Sequence, residues 1–258
     1  MKEYFAHPAS AELVAELDAV ARRVGSREQV FDDLLTLSIC ALAGGTQEEE
    51  YLKTVKPYRE GEPGQRPIDR LVKVFGQIVD LMEETRTDVL GDIFQGAITR
   101  GQNGQFFTPD PVCELMASMT DRDESGEEAS ADSKEPASKK SIYDPCCGSG
   151  RLLLAAAKVN RNCYFVGQDV DHRCAKITAL NLALWNLYGK VIWGNTLTNE
   201  AWRVYHTGFN GRGVIRVEDV QASSPPVPVT TNPDPLPDPV PPDPPPRQGT
   251  LFDVLPSE

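Results

Sequence analysis

The stretch YDPCCGSGRLLLAA, Tyr143 to Ala156, decides how the rest of the chain is read. It sets a carboxylate, two adjacent cysteines and two glycines between a short apolar lead-in and an apolar run. Glycines let the backbone turn tightly and approach a ligand closely, and the exposed amides of the helix beginning near Arg151 favour a carboxylate or phosphate. Working outward, "SIYDPCC" predicts a short strand, Arg151 to Val159 a helix, "CYFVGQDV" a second strand, His172 to Tyr188 a second helix and "KVIWGN" a third strand. Strand and helix in alternation predict an α/β fold, a parallel sheet built from right-handed crossovers, with ligands at the carboxyl ends of the strands.

Three groups fall at those ends: Asp144 with Gly148, Ser149 and Gly150, then Asp169 and Asp171, then Asn195. Asp169 lies 25 residues after Asp144, a spacing at which a carboxylate can accept both hydroxyl hydrogens of a ribose. The carbonyl of Asn195 can accept from an adenine amine. These features together fit a nucleoside-bearing ligand. The dinucleotide fingerprint GxGxxG is not met, since Leu152 and Leu153 follow Gly150, and neither is the P-loop GxxxxGK[ST].

Upstream, residues 1–100 are expected to form a helical domain. Leu13, Leu17, Val20 and Val24 line one face, and Ser26 with Gln29 forms a capping-box signature that Thr46 and Glu49 repeat. Pro67 opens a helix with Ile68, Leu71, Val72, Phe75, Val79 and Met82 at helical spacing, and Asp88 can cap another through Ile93, Phe94 and Ile98. A further helix is expected over Val112 to Met119. Residues 121–140 hold no large apolar side chain and are expected to be a disordered insertion in a second domain, 101–221. The Glu48 to Glu50 run reads as a solvated helix face, and His172 as a surface residue at a helix start.

The net charge of −12 excludes a broad basic footprint; 141–221 is the one basic stretch, with 9 basic and 6 acidic side chains. Any contact with nucleic acid then runs through local patches or a partner. Six cysteines without paired CxxC spacing indicate neither a zinc cluster nor a disulfide framework, so no metal is expected and Cys146 and Cys147 read as small packing residues. No apolar run approaches a membrane span, and the N-terminus lacks an apolar signal core, so a cytoplasmic protein without membrane contact is expected.

"GQFFTP" at 104–109, "YDPCCGSG" at 143–150, "FVGQDVD" at 165–171 followed by "AKITALNLAL", and "GNTL" at 194–197 occur in an order and spacing that resembles the N6-adenine DNA methyltransferases of the type I modification-subunit kind. The resemblance covers roughly Asp88 to Leu197. It implies a Rossmann-like class I methyltransferase core that binds S-adenosylmethionine, in a restriction-modification enzyme acting on DNA with a specificity or partner subunit. It further implies that Gln105, Phe106, Phe107, Thr108 and Pro109 cover the methionine end of the cofactor, that Asp144, Gly148, Ser149 and Gly150 form its loop, and that Asp169 holds its ribose. Asn195 stands where the family usually has an aspartate near the adenine ring.

The family also carries [DNS]PP[FYW], whose polar side chain and proline carbonyl bind the target amine while the aromatic ring stacks on the flipped base. No such string occurs in this sequence. Asn232 and Pro233 in "TTNPDPLP" begin like it and are the sole catalytic candidates. After Asn195 room for one helix and one strand, Gly213 to Val217, is expected, giving a shortened core. From 222 the chain is read as a disordered proline-rich tail, with twelve prolines between Pro225 and Pro246. Its end, "RQGTLFDVLPSE", resembles through Gln248, Leu251 and Phe252 the peptide by which bacterial DNA-handling proteins bind the sliding clamp. Two functions follow: an adenine-N6 methyltransferase, or a catalytically incompetent cofactor-binding module tethered to the clamp or another DNA-handling partner.

Overall fold

A computed structural model describes residues 5–99, 106–120, 140–208 and 214–220. Helix α1, Pro8–Val24, buries Leu13, Val14, Leu17 and Val20, and His7 caps it by accepting from the Ala9 amide. Ser26 caps α2, Arg27–Leu42, accepting from the Gln29 amide at 3.1 Å. The second capping signature fails. Helix α3, Glu48–Val55, starts after Gln47, and the Thr46 hydroxyl donates to the Ala43 carbonyl instead. Helix α4, Pro67–Thr85, starts at the expected proline but buries Leu71, Val74, Ile78 and Met82, while Val72 faces solvent. Both faces have helical spacing, and the packing of α1 against α4 selects between them. Asp88 accepts from the Gly91 amide and caps α5, Val89–Ile93, which passes into a π-helical turn, Phe94–Thr99.

Helix α6, Asp110–Thr120, leads to the sheet. Strand β1, Ser141–Asp144, helix α7, Arg151–Val159, strand β2, Tyr164–Asp169, helix α8, His172–Leu184, and strand β3, Gly189–Trp193, alternate as the sequence predicts, and the three strands are parallel. Helix α8 ends at Leu184 rather than at Tyr188, because Asn186 turns left-handed at φ 52° and the Leu187 amide bonds back to Leu182. Past Asn195 the expected helix is a strand. β4, Arg203–Thr207, and β5, Ile215–Asp219, continue the sheet antiparallel, in the order β1-β2-β3-β4-β5. The β-branched and aromatic run "RVYHT" favours a strand, and Tyr205 fills the core beneath it. Lys140, inside the expected disordered stretch, accepts the Tyr164 amide with its carbonyl, so the sheet begins earlier than composition suggests. Residues 121–139 lie outside the described residues.

One cluster of buried residues runs from Leu13 to Ile215. Helix α8 explains the continuity: buried along almost its whole length, it packs β2 and β3 on one side and α2 on the other. Lys176 of α8 donates to Asp32 at 3.0 Å and Thr36 at 2.8 Å on α2, and Arg203 of β4 donates to Glu50, which takes that glutamate out of the solvated run. Cys113 and Ala117 are the buried positions among the described side chains of α6, which packs on α7, whereas Val112, Leu115, Met116 and Met119 form an exposed apolar stripe. Among the described helices none is long and apolar enough to cross a membrane.

Candidate functional site

Parallel pairing brings the loops after β1, β2 and β3 to one edge of the sheet, with Asp144 level with Gly167 and Asp169 level with Trp193. The loop after β1 bends through Gly148 at φ 55° and Gly150 at φ 86°, conformations that side chains strain to adopt. A Cβ on Gly148 would stand 2.9 Å from the Phe107 ring, and one on Gly150 would stand 3.0 Å from Thr178. The loop is fixed from below: the Cys147 amide donates to the Gln168 carbonyl at 2.9 Å, and Thr178 of α8 donates to the Gly148 carbonyl at 2.9 Å.

Asp169 joins the first two loops. It accepts from the Gly148 amide at 2.8 Å and the Asp171 amide at 2.9 Å, leaving a further acceptor position on each carboxylate oxygen. Burial holds its carboxyl above the usual carboxylate range despite those two amides, and burial does the same to Asp144. The third loop is tied to the first by Thr196, which donates to the Pro145 carbonyl at 2.6 Å. Asn195 uses its side-chain carbonyl on the Leu197 and Thr198 amides, an Asx turn, so it shapes this loop directly.

Of the residues singled out in the sequence, Asp144, Gly148, Gly150, Asp169 and Asn195 meet at this edge. Phe107 lies over the loop, its ring 5.7 Å from Phe94 and 5.5 Å from the Arg151 guanidinium. Pro109 starts α6 through its carbonyl, Thr108 is half-buried, and Phe106 is 72 % exposed. Ser149 differs: its side chain is 1 % exposed and turned away from the edge, donating to Asp88. Gln105, the catalytic candidates Asn232 and Pro233, and the peptide residues Gln248, Leu251 and Phe252 lie outside the described residues.

Sequence reasoning missed several contributors. Val170, 62 % exposed, and Leu197, 96 % exposed, present apolar side chains beside Asp169 and Asn195, the kind of surface a flat heterocycle covers. Their adjacency to two polar site residues was the available signal. Thr178, Thr196 and Asp88 gave none. Burial pushes the Cys147 thiol up despite the opposing hydrogen bond from Thr178, which suits packing rather than nucleophilic attack. His172 is no surface residue: its ring lies 3.8 Å from that of Trp193, Nε2 is 2.7 Å from the Tyr205 hydroxyl, and burial lowers its pKa to about 4.

The family model of N-6 DNA Methylase matches residues 85–226. The type I restriction enzyme MpnII methylase subunit of Mycoplasma pneumoniae is 28 % identical over 166 residues, 59 % of this chain and 28 % of that protein. The type I restriction enzyme MjaVIII methylase subunit of Methanocaldococcus jannaschii is 26 % identical over 169 residues, 61 % of this chain and 26 % of that protein. The chain thus matches little more than a quarter of the length of these curated relatives. A crystal structure described as a class I S-adenosylmethionine-dependent methyltransferase of Listeria monocytogenes aligns over 76 % of this chain and 56 % of its own, with a TM-score of 0.38 and 19 % identity.

Proposed function

The chain belongs to the N-6 DNA methylase family, and from that premise we propose that it binds S-adenosylmethionine at the carboxyl edge of β1, β2 and β3 and serves in adenine-N6 methylation of DNA in a restriction-modification system. The observation that carries the reading is the half-buried Asp169 carboxylate, held by the Gly148 and Asp171 amides where the first two loops meet. Its remaining acceptor positions suit a ribose diol, and the exposed Val170 and Leu197 suit the faces of an adenine. The glycine bends and the start of α7 leave room and amide hydrogens for the carboxylate at the methionine end. The bound cofactor supplies an electrophilic methyl group on a sulfonium. This chain's residues bind and orient it, with Phe107 packed over the loop. The grip on the target adenine belongs to sequence beyond the described residues, in this chain or in a DNA-specificity partner.

Equilibrium dialysis with methyl-tritiated S-adenosylmethionine, followed by addition of unmethylated DNA with and without the neighbouring subunits, tests the proposal. Binding by the chain and transfer of label to adenine in a complete assembly are expected. Absence of binding sinks the cofactor assignment; binding without transfer in every combination sinks the enzymatic one.

A further inference from the structure

We propose that Asp88, outside the sheet and 61 residues from Ser149 in sequence, is the positioning residue of the glycine loop; the inference rests on the cofactor reading above. Asp88 is 4 % exposed. Beyond its capping bond to the Gly91 amide, it accepts from the Ser149 hydroxyl, from Arg151 Nε at 2.9 Å and from Asn181 Nδ2 at 2.7 Å. Ser149 and Arg151 flank Gly150, and Asn181 donates a second bond to the Ser149 carbonyl at 2.8 Å. One carboxylate therefore holds the side chains on both sides of the left-handed glycine, and through Asn181 the backbone between them.

The arrangement is costly for a mere support. Asn181 must turn its amide nitrogen toward two acceptors, Asp88 and the Ser149 carbonyl, which leaves its own carbonyl oxygen buried without a partner. A buried carboxylate paired to Arg151 adds little stability over an apolar contact, but it fixes geometry strongly, because every wrong placement strands a charge. Arg151 in turn lies by the Phe107 ring that covers Gly148, so the same network sets the roof of the loop. Asp92, one turn further along α5, provides the contrast: similarly buried, it accepts from the Ala6 and His7 amides and the Ser10 hydroxyl, and it reaches the loop only through the field its charge exerts on Arg151.

Asp88→Asn keeps the size but removes the charge and, whichever way its amide turns, sets an NH2 against Arg151 Nε or Asn181 Nδ2, neither of which can accept. It is expected to weaken S-adenosylmethionine binding roughly tenfold, the loss of one charge-assisted hydrogen bond, and to speed amide exchange across Gly148 to Leu152 in the free protein. Ser149→Ala removes the same bond from the loop side and should weaken binding in the same direction. If Asp88→Asn does not fold, Ser149→Ala decides alone. Asp92→Asn should lower the thermal midpoint and leave binding unchanged. Unaltered affinity and exchange in Asp88→Asn or, if that variant does not fold, in Ser149→Ala, overturn the inference, as does an equal loss of binding in Asp92→Asn. A wild-type protein that binds no S-adenosylmethionine, yet shows the faster loop exchange in Asp88→Asn, overturns the cofactor reading while leaving the loop assignment standing.

Discussion

The loop after β1 and the loop after β3 face the same edge but are built in opposite ways. The first is held by residues far away in sequence: Asp88 and Phe107 from the helical region, Thr178 and Asn181 from α8, and Gln168 and Asp169 from β2. The second owes its shape to local bonds, the Asn195 Asx turn and the bond from the Glu200 amide to the Asn195 carbonyl, and is tied to its neighbours at its flanks, by the Gly194 amide to the Asp169 carbonyl, by Gln168 to the Glu200 carbonyl and by Thr196 to the Pro145 carbonyl, while Leu197 stands almost wholly in solvent. On this account the glycine loop is set before any ligand arrives, whereas the exposed tip of the third loop, Leu197 and Thr198, adjusts around one. Ribose and methionine are then bound by a preformed surface and adenine by an adaptable one.

The largest effect falls on the preformed side. Asp169→Ala should reduce S-adenosylmethionine affinity by about 100-fold or more, two charged-acceptor bonds being worth roughly 1.5–3 kcal/mol each, as read by calorimetric titration; a loss under about threefold breaks the comparison. Gly150→Ala strains a residue at φ 86° and crowds Thr178, so unfolding free energy should fall by about 1–2 kcal/mol in urea titration, with affinity falling alongside. Leu197→Ala, on the adaptable side, should leave stability within about 0.5 kcal/mol and weaken binding only a few-fold.

His172 bears on the shared wall between β2 and β3. Its folded pKa of about 4 lies below the ordinary 6.5, so protonation favours the unfolded chain. The stability it contributes is complete above 6.5 and is lost as pH falls toward about 4, at up to about 1.4 kcal/mol per pH unit. Asp144 and Asp169 act oppositely, since their burial-raised carboxyls gain by protonation in the fold. His172→Gln should therefore flatten, or even reverse, the acid limb of the thermal midpoint against pH. An unchanged limb contradicts the half-buried neutral imidazole.

Much of this was legible in the sequence because it is local. Strand, turn and helix chemistry around Tyr143–Ala156 and the spacing to Asp169 and Asn195 place the parallel unit and its edge, and the structure keeps β1-α7-β2-α8-β3 as read. What could not be read depends on packing between distant segments. Asp88 looked like a cap because a cap is visible three residues away, whereas Ser149 and Asn181 lie 61 and 93 positions off. The buried face of α4 differs from the sequence reading because two faces share the helical period and packing against α1, α5 and α2 distinguishes them. β4 has the strand composition "RVYHT" but stands where the sequence reading has a helix.

The central claim is that the ligand lies across these two unlike loops. Hydrogen–deuterium exchange of the full chain with and without S-adenosylmethionine tests it most directly. The account predicts new protection in 168–171 and 194–197, largest at the third loop, where Leu197 is exposed, and smaller at Gly148 to Arg151, which other elements already hold. Protection absent from all three segments, or confined to the exposed stripe of α6, would contradict it.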